Sequence, residues 1–163
     1  MTEPKGYRGI EVLADASSLD KCRKQVVAGQ AGCDSFAFIA DEGPYMPDGE
    51  GSAPTPLTYF VSGVALCLLS HLTQIAAKKK LQLRDPRVKV TARFHEQGSV
   101  LKGDKKGACD GFDVSIQVDS DEPRQQILDL MHMTQNVCFA VDALTREHPL
   151  TFQNTLNGEP VEN

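Results

Sequence analysis

The sequence has no pair of cysteines at Cys-x-x-Cys spacing and no run of histidines and cysteines at metal-ligand spacing. A zinc finger and a thioredoxin-type motif are therefore without their residues. It also lacks a Gly-x-x-x-x-Gly-Lys-Ser/Thr phosphate loop, a Gly-x-Gly-x-x-Gly turn opening a helix and a Gly-x-Ser-x-Gly elbow, the local signatures of nucleotide binding and serine hydrolysis. An excess of positive charge is missing too. Lys and Arg number 17 against 22 Asp and Glu, a net charge of -5, so no field draws in a phosphate backbone and nucleic acid is not an expected partner. The one basic run, Lys78-Lys79-Lys80, closes a helical stretch, where cations complement the helix dipole. The 5 cysteines, at 22, 33, 67, 109 and 138, form no regular disulfide framework, and no charged-then-apolar leader opens the chain. A reducing, cytoplasmic setting is the expectation. Internal repeats and low-complexity segments are absent.

What is present, 163 residues with 40% hydrophobic content, suits one domain spanning 1–163. Residues 1–30 are the least legible, with 14–27 reading as weakly helical after a cap at Asp15, Ser17 or Ser18. Residues 33–40 alternate as a strand, Phe36 and Phe38 on one face. The stretch 41–56 holds 4 prolines and 3 glycines and reads as a surface loop with Asp41, Glu42, Asp48 and Glu50 solvated. Residues 57–80 form a helix that is apolar on nearly all sides as far as Leu72. It should be enclosed by other elements, with Gly63 and Ala65 letting a neighbouring backbone approach. Thr58, Ser62, Ser70, His71, Thr73 and Gln74 interrupt the run, which favours a core helix over a membrane span. Strict alternation of Val88, Val90, Ala92 and Phe94, then of Phe112, Val114, Ile116 and Val118, predicts an antiparallel strand pair linked through Gly103-Asp-Lys-Lys-Gly107. Ser120 or Asp121 can cap a second helix with Pro123 in its first turn. Along it Ile127, Leu130, Met131, Thr134, Val137, Cys138, Val141 and Leu144 recur at helical spacing. A short strand at 150–156 should end at Asn157-Gly158.

Two of the cysteines, Cys67 and Cys138, fall on these apolar helical faces. Each is either a small core hydrophobe or a thiol shielded from water. They are 71 residues apart, so only the fold can join them. His71 stands one turn beyond Cys67, within reach of its sulfur, and can equally be a hydrogen-bonded histidine at a core edge. His132 and His148 lack partners at ligand spacing, and His95 faces solvent beside Arg93. Spacing assembles no metal site, and no cofactor is expected.

The order strand, Pro/Gly-rich loop, buried helix with Cys67, strand pair, helix with Cys138 resembles the OsmC/Ohr family of osmotically inducible and organic hydroperoxide resistance proteins. The resemblance is carried by Ala53-Pro-Thr-Pro-Leu-Thr-Tyr-Phe-Val-Ser-Gly-Val-Ala-Leu-Cys67 and Ile127-Leu-Asp-Leu-Met-His-Met-Thr-Gln-Asn-Val-Cys138. It implies an α+β OsmC-like fold, an antiparallel sheet with two long central helices, and an intertwined homodimer with sites at the subunit interface. It further implies a peroxiredoxin-like enzyme of oxidative and osmotic stress that reduces alkyl or lipid hydroperoxides. In that scheme Cys67 is peroxidatic, Cys138 is resolving, and a dithiol reductant regenerates the pair. The alternative is a non-catalytic dimer that binds a small hydrophobic ligand. The chain departs from the family pattern in three places. Family peroxidases commonly carry Asn-Pro-Glu where this chain has Thr55-Pro56-Leu57, so the acid is missing. The arginine that such an acid orients has Arg8 and Arg23 as candidates. The proline after the second cysteine is Phe139 here, and either His71 serves in lieu of the missing pair or the site is weakened.

Overall fold

The computed structural model describes residues 6–161. In chain order these form β1 (Val12–Ser18), β2 (Lys24–Gln30), β3 (Ser35–Ala40), α1 (Pro56–Lys79), β4 (Arg84–Gln97), β5 (Lys106–Asp119), α2 (Arg124–Val137), α3 (Phe139–Thr145), β6 (Asn154–Leu156) and β7 (Glu159–Val161). The fold is α+β, and every strand pairing is antiparallel. Two compact units divide at α1, Met1–Ser62 and Gly63–Asn163.

In the first unit β1, β2 and β3 make an antiparallel meander in sequence order. Residues 14–27, read above as weakly helical, are instead the body of the β1–β2 hairpin, with Ser18 opposite Lys24. The residue that decides it is Asp20. Its Oδ1 accepts the backbone N–H groups of Cys22 (3.0 Å) and Arg23 (2.7 Å), and its Oδ2 accepts Arg23 Nε (2.6 Å). A side chain that satisfies its own next two or three N–H groups stabilises a turn as readily as a helix start. The loop at 41–55 behaves as expected except at Asp41, which is buried rather than solvated. Its carboxylate accepts Glu42 N–H, Ser52 N–H and Ser52 Oγ–H, each at 2.8 Å, so the buried charge is matched by donors. Thr55 then caps α1 by accepting Thr58 N–H (3.2 Å), and Pro56 takes the first helical position.

In the second unit α1 presents Val64, Leu68, Leu72 and Ala76, one residue per turn, as its buried stripe. The lower half of that stripe packs with Leu130 of α2 and with Ile116 and Val118 of β5. The upper half packs with Val88 and Val90 of β4 and with Val141 and Leu144 of α3. The expected all-round enclosure of α1 is not found within one chain. Leu57, Phe60 and Leu66 are 51%, 48% and 63% exposed, and nothing lies within 4 Å of where a Cβ on Gly63 would stand. Among the described residues α1 is the one helix long and apolar enough to cross a membrane. Its C-terminus closes as a Schellman turn, Leu81 N–H to Ala76 O (2.9 Å) and Lys80 N–H to Ala77 O (3.1 Å), with Lys80 at φ 59°.

The β4–β5 ladder runs further toward its turn than the alternation suggested. Gly98 makes that turn possible at φ +85°, since a Cβ there would sit 2.5 Å from the Asp104 carbonyl oxygen. Pro123 stands at the N-cap of α2 rather than in its first turn, and no side chain caps the helix. Ser120 and Asp121 are used otherwise, on Gln82 O (2.6 Å) and on the Arg84 guanidinium (2.5 and 2.9 Å). The tail strand is shorter than predicted. It ends where expected, at Asn157 (φ 53°) and Gly158 (φ 85°), which form the two-residue turn of the β6–β7 hairpin.

Candidate thiol site

Cys138 does not lie mid-helix. It is the single extended residue between α2 and α3, at φ -76° and ψ 114°. The run Asn136-Val137-Cys138-Phe139 consists of four residues of modest helix propensity, two of them β-branched or aromatic, and the helix yields there without a proline. Beyond the break, Asp142 N–H bonds Cys138 O (3.0 Å) and a short helix resumes. Periodicity misses this because one extended residue leaves Val141 and Leu144 on the same side, packed in the cluster that holds Cys138.

The break brings the Cys138 sulfur to the face of α1. Its thiol donates to Cys67 Sγ across 3.5 Å, a van der Waals contact between two free thiols, compared with about 2.05 Å in a disulfide. Cys67 is partly exposed and Cys138 is 1% exposed, with Val64, Leu68, Val88 and Val90 packed around them. Burial pushes the Cys138 thiol up from its ordinary value, and the Cys67 sulfur it bonds adds to the shift. The Val141 and Ala140 N–H groups oppose it without closing a capping bond. The Cys138 thiol thus favours its protonated form.

His71 meets Cys67 as the i+4 spacing anticipated. Its Nδ1 lies 2.8 Å from Cys67 O and 3.7 Å from Cys67 Sγ. A carbonyl only accepts, so Nδ1 carries the ring proton and leaves the lone pair of the neutral imidazole on Nε2. Toward the sulfur His71 is a donor rather than a base. Phe139, noted in the sequence only as a missing proline, closes the other side with its ring edge-on to His71 at 5.3 Å. One ring nitrogen of His71 and the two sulfurs all lie within 4.8 Å of one another, a grouping that spacing alone did not assemble. Beside it an apolar cleft of about 340 Å³ is lined by Leu68, Val114, Ile116, Met131, Gln135 and Val141.

The other candidates have local surroundings of their own. Cys22 is buried in the first unit and donates to Pro47 O (3.3 Å), while Cys33 and Cys109 are exposed. Arg23 is bound to Asp20 in the β1–β2 turn, Arg8 is exposed, and Leu57 puts no carboxylate at the start of α1. On the outer face of the β4–β5 ladder His95 pairs with Asp110 (2.6 Å) and Arg93 with Asp113 (2.5 Å).

Comparison with known proteins agrees with this layout. The family described as OsmC-like protein matches residues 49–153. An OsmC-like hydroperoxide resistance protein from Jannaschia sp. shares the fold with a TM-score of 0.61 at 18% identity, covering 94% of this chain and 99% of its own. An organic hydroperoxide resistance protein OsmC from Legionella pneumophila gives 0.58 at 20% identity, covering 83% and 89%. An OsmC-like protein from Mycoplasma pneumoniae gives 0.56 at 16% identity, covering 84% and 87%. No curated protein sequence matches the chain.

Proposed function

The chain belongs to the OsmC-like protein family, and from that premise we propose that it reduces organic hydroperoxides with Cys67 as attacking and Cys138 as resolving thiol. The observation that carries the reading is the 3.5 Å contact between the two sulfurs. In the first step the Cys67 thiolate attacks the terminal oxygen of ROOH. The O–O bond breaks, an S–O bond forms, sulfur loses two electrons, and the departing alkoxide takes a proton to become ROH. Cys138 then attacks the sulfenic sulfur, expelling water and forming the disulfide, for which the sulfurs need to close by about 1.5 Å. A dithiol reductant restores both thiols. His71 Nδ1–H, held by the Cys67 carbonyl, is the donor nearest the attacking sulfur and stands in for the guanidinium and carboxylate pair that this chain does not supply around Leu57. The apolar cleft favours an alkyl or lipid chain over hydrogen peroxide.

The working unit in this proposal is a homodimer in a reducing, cytoplasmic compartment. The exposed apolar residues Leu57 and Leu66 of α1 support the dimer, because each is more than half exposed in one chain. The same cleft favours a second reading, a non-catalytic dimer that holds a small hydrophobic ligand beside two inert thiols. One experiment separates them. Reduced protein treated with one equivalent of an alkyl hydroperoxide, alkylated and peptide-mapped should yield a Cys67–Cys138 disulfide with Cys22, Cys33 and Cys109 still alkylated. If both thiols remain alkylated after treatment, the reductase reading fails and the ligand reading takes its place.

A further inference from the structure

We propose that Cys67, His71 and Cys138 also form, in the reduced chain, a three-donor site for a thiophilic divalent cation, with zinc as the type case. The grouping is made by the fold from two elements. Cys67 and His71 project from one face of α1 at i and i+4, the spacing by which a helix presents two ligands to one ion, and Cys138 is delivered by the break after α2. The separations fit. Two sulfurs about 2.3 Å from a zinc ion at the tetrahedral angle stand about 3.8 Å apart, and a sulfur and a nitrogen about 3.6 Å apart. Here the sulfurs are 3.5 Å apart, and a ring nitrogen of His71 lies within 4.8 Å of both.

Charge and softness select the ion. Two thiolates and a neutral imidazole bring a divalent cation to zero net charge, which suits walls made of Val64, Leu68, Val88 and Val90. Sulfur ligands favour zinc or cadmium over magnesium or calcium. The His71 contact to Cys67 O has the form of an outer-shell restraint. An imidazole whose Nδ1–H is held by a carbonyl offers Nε2 as a ligand in a fixed tautomer. Binding displaces the two thiol protons, and the fourth position is left for water or an exogenous ligand.

The site is independent of the hydroperoxide reading, and its test uses no turnover. Reduced full-length protein is titrated with Co²⁺ and followed by absorbance, then with Zn²⁺ in competition. The expected result is one Co²⁺ per chain with a near-ultraviolet sulfur-to-cobalt band and tetrahedral visible bands, both erased by an equivalent of Zn²⁺. Cys67→Ser and Cys138→Ser should each halve the sulfur band. His71→Ala should keep the two-thiolate band while weakening binding by about tenfold or more. Cys22→Ser should change nothing, and wild type oxidised with diamide to the Cys67–Cys138 disulfide should bind none, a control that needs no substitution to fold. Absence of the sulfur band at one equivalent, its loss on Cys22→Ser, or an unchanged affinity in His71→Ala would overturn the proposal. Hydroperoxide consumption measured on chelator-treated protein can fail without touching any of these readings.

Discussion

Each of the two units buries one cysteine, and the two thiols differ in their partner more than in their burial. Cys22 is 5% exposed and Cys138 is 1% exposed, and burial raises both above the ordinary thiol value. Cys22 gives its proton to the Pro47 carbonyl, with the carboxylates of Asp41 and Asp48 further opposing its ionisation. Cys138 directs its thiol at a second sulfur that is partly exposed and backed by a histidine. An oxygen acceptor and a hedge of negative charge make Cys22 a small core residue with a weak donor. A sulfur acceptor at contact distance makes Cys138 one half of the pair to which the proposed reaction assigns the electron exchange. Under the proposed function it is the neighbouring atom, and not depth, that separates the two thiols.

The sharpest way to break this contrast is to remove the thiols one at a time. Cys67→Ser should abolish consumption of an alkyl hydroperoxide in the presence of a dithiol. Cys138→Ser should reduce one equivalent and then stall with Cys67 as sulfenic acid, detectable by dimedone labelling. Cys22→Ser should turn over at the wild-type rate. A Cys22→Ser variant that loses activity, or a Cys67→Ser variant that keeps it, would show that the neighbour rule drawn from the two sites is wrong.

A second contrast concerns where the fold keeps its stability. Leu72, fully buried between α1 and α2, should cost about 2–5 kcal/mol when cut to Ala, by lost transfer energy plus the cavity left behind. Val27 on β2 of the first unit, 43% exposed, should cost well under half of that as Val27→Ala. Urea midpoints at unchanged m-value measure both, and equal losses would mean that the first unit's sheet is covered in solution by something one chain does not supply.

The sequence was most readable where one face of one element carried the pattern. The alternation from Val88 to Phe94 and from Phe112 to Val118 located β4 and β5, and the apolar run from Leu57 located α1 to within a residue of its start. The i+4 step from Cys67 to His71 needs only that helix to be true. What stayed hidden depended on partners distant in the chain or on single residues acting against a trend. The β1–β2 hairpin turns on Asp20, whose side chain can serve a turn or a helix cap with the same atoms. The break at Cys138 keeps Val141 and Leu144 in phase, so the periodicity reads straight through it. Asp41 is buried because Ser52, eleven residues on, supplies its donors, and no local composition reveals that. The contact of two sulfurs across 71 residues is a product of all these choices at once.

The smallest expected effect concerns acid, and it separates the two buried thiols by their surroundings. The backbone N–H and the guanidinium of Arg23 hold the Asp20 carboxyl down at about 2 against an ordinary 3.8, and the Ser52 donors lower Asp41 as well. A carboxyl whose folded value lies below its unfolded one contributes stability that is complete above the unfolded value and is lost as pH falls through the folded one. The β1–β2 turn and the loop around Asp41 should therefore loosen between about pH 4 and about pH 2, and Cys22, which sits between them, should become accessible. The residues packed around Cys138 in its cluster, among them Val64, Leu68, Val88, Val90, Val141 and Leu144, carry no charge, so its access should not change over that window. Reaction of each cysteine with dithiodipyridine, a thiol reagent that works in acid, read by peptide mapping from about pH 5 to about pH 2, follows both at once. Asp20→Asn, which removes the ionisable group, should flatten part of the Cys22 rise. A Cys22 rate that stays level through the window, or a Cys138 rate that climbs with it, would mean that these carboxylates do not hold the first unit's buried thiol in place.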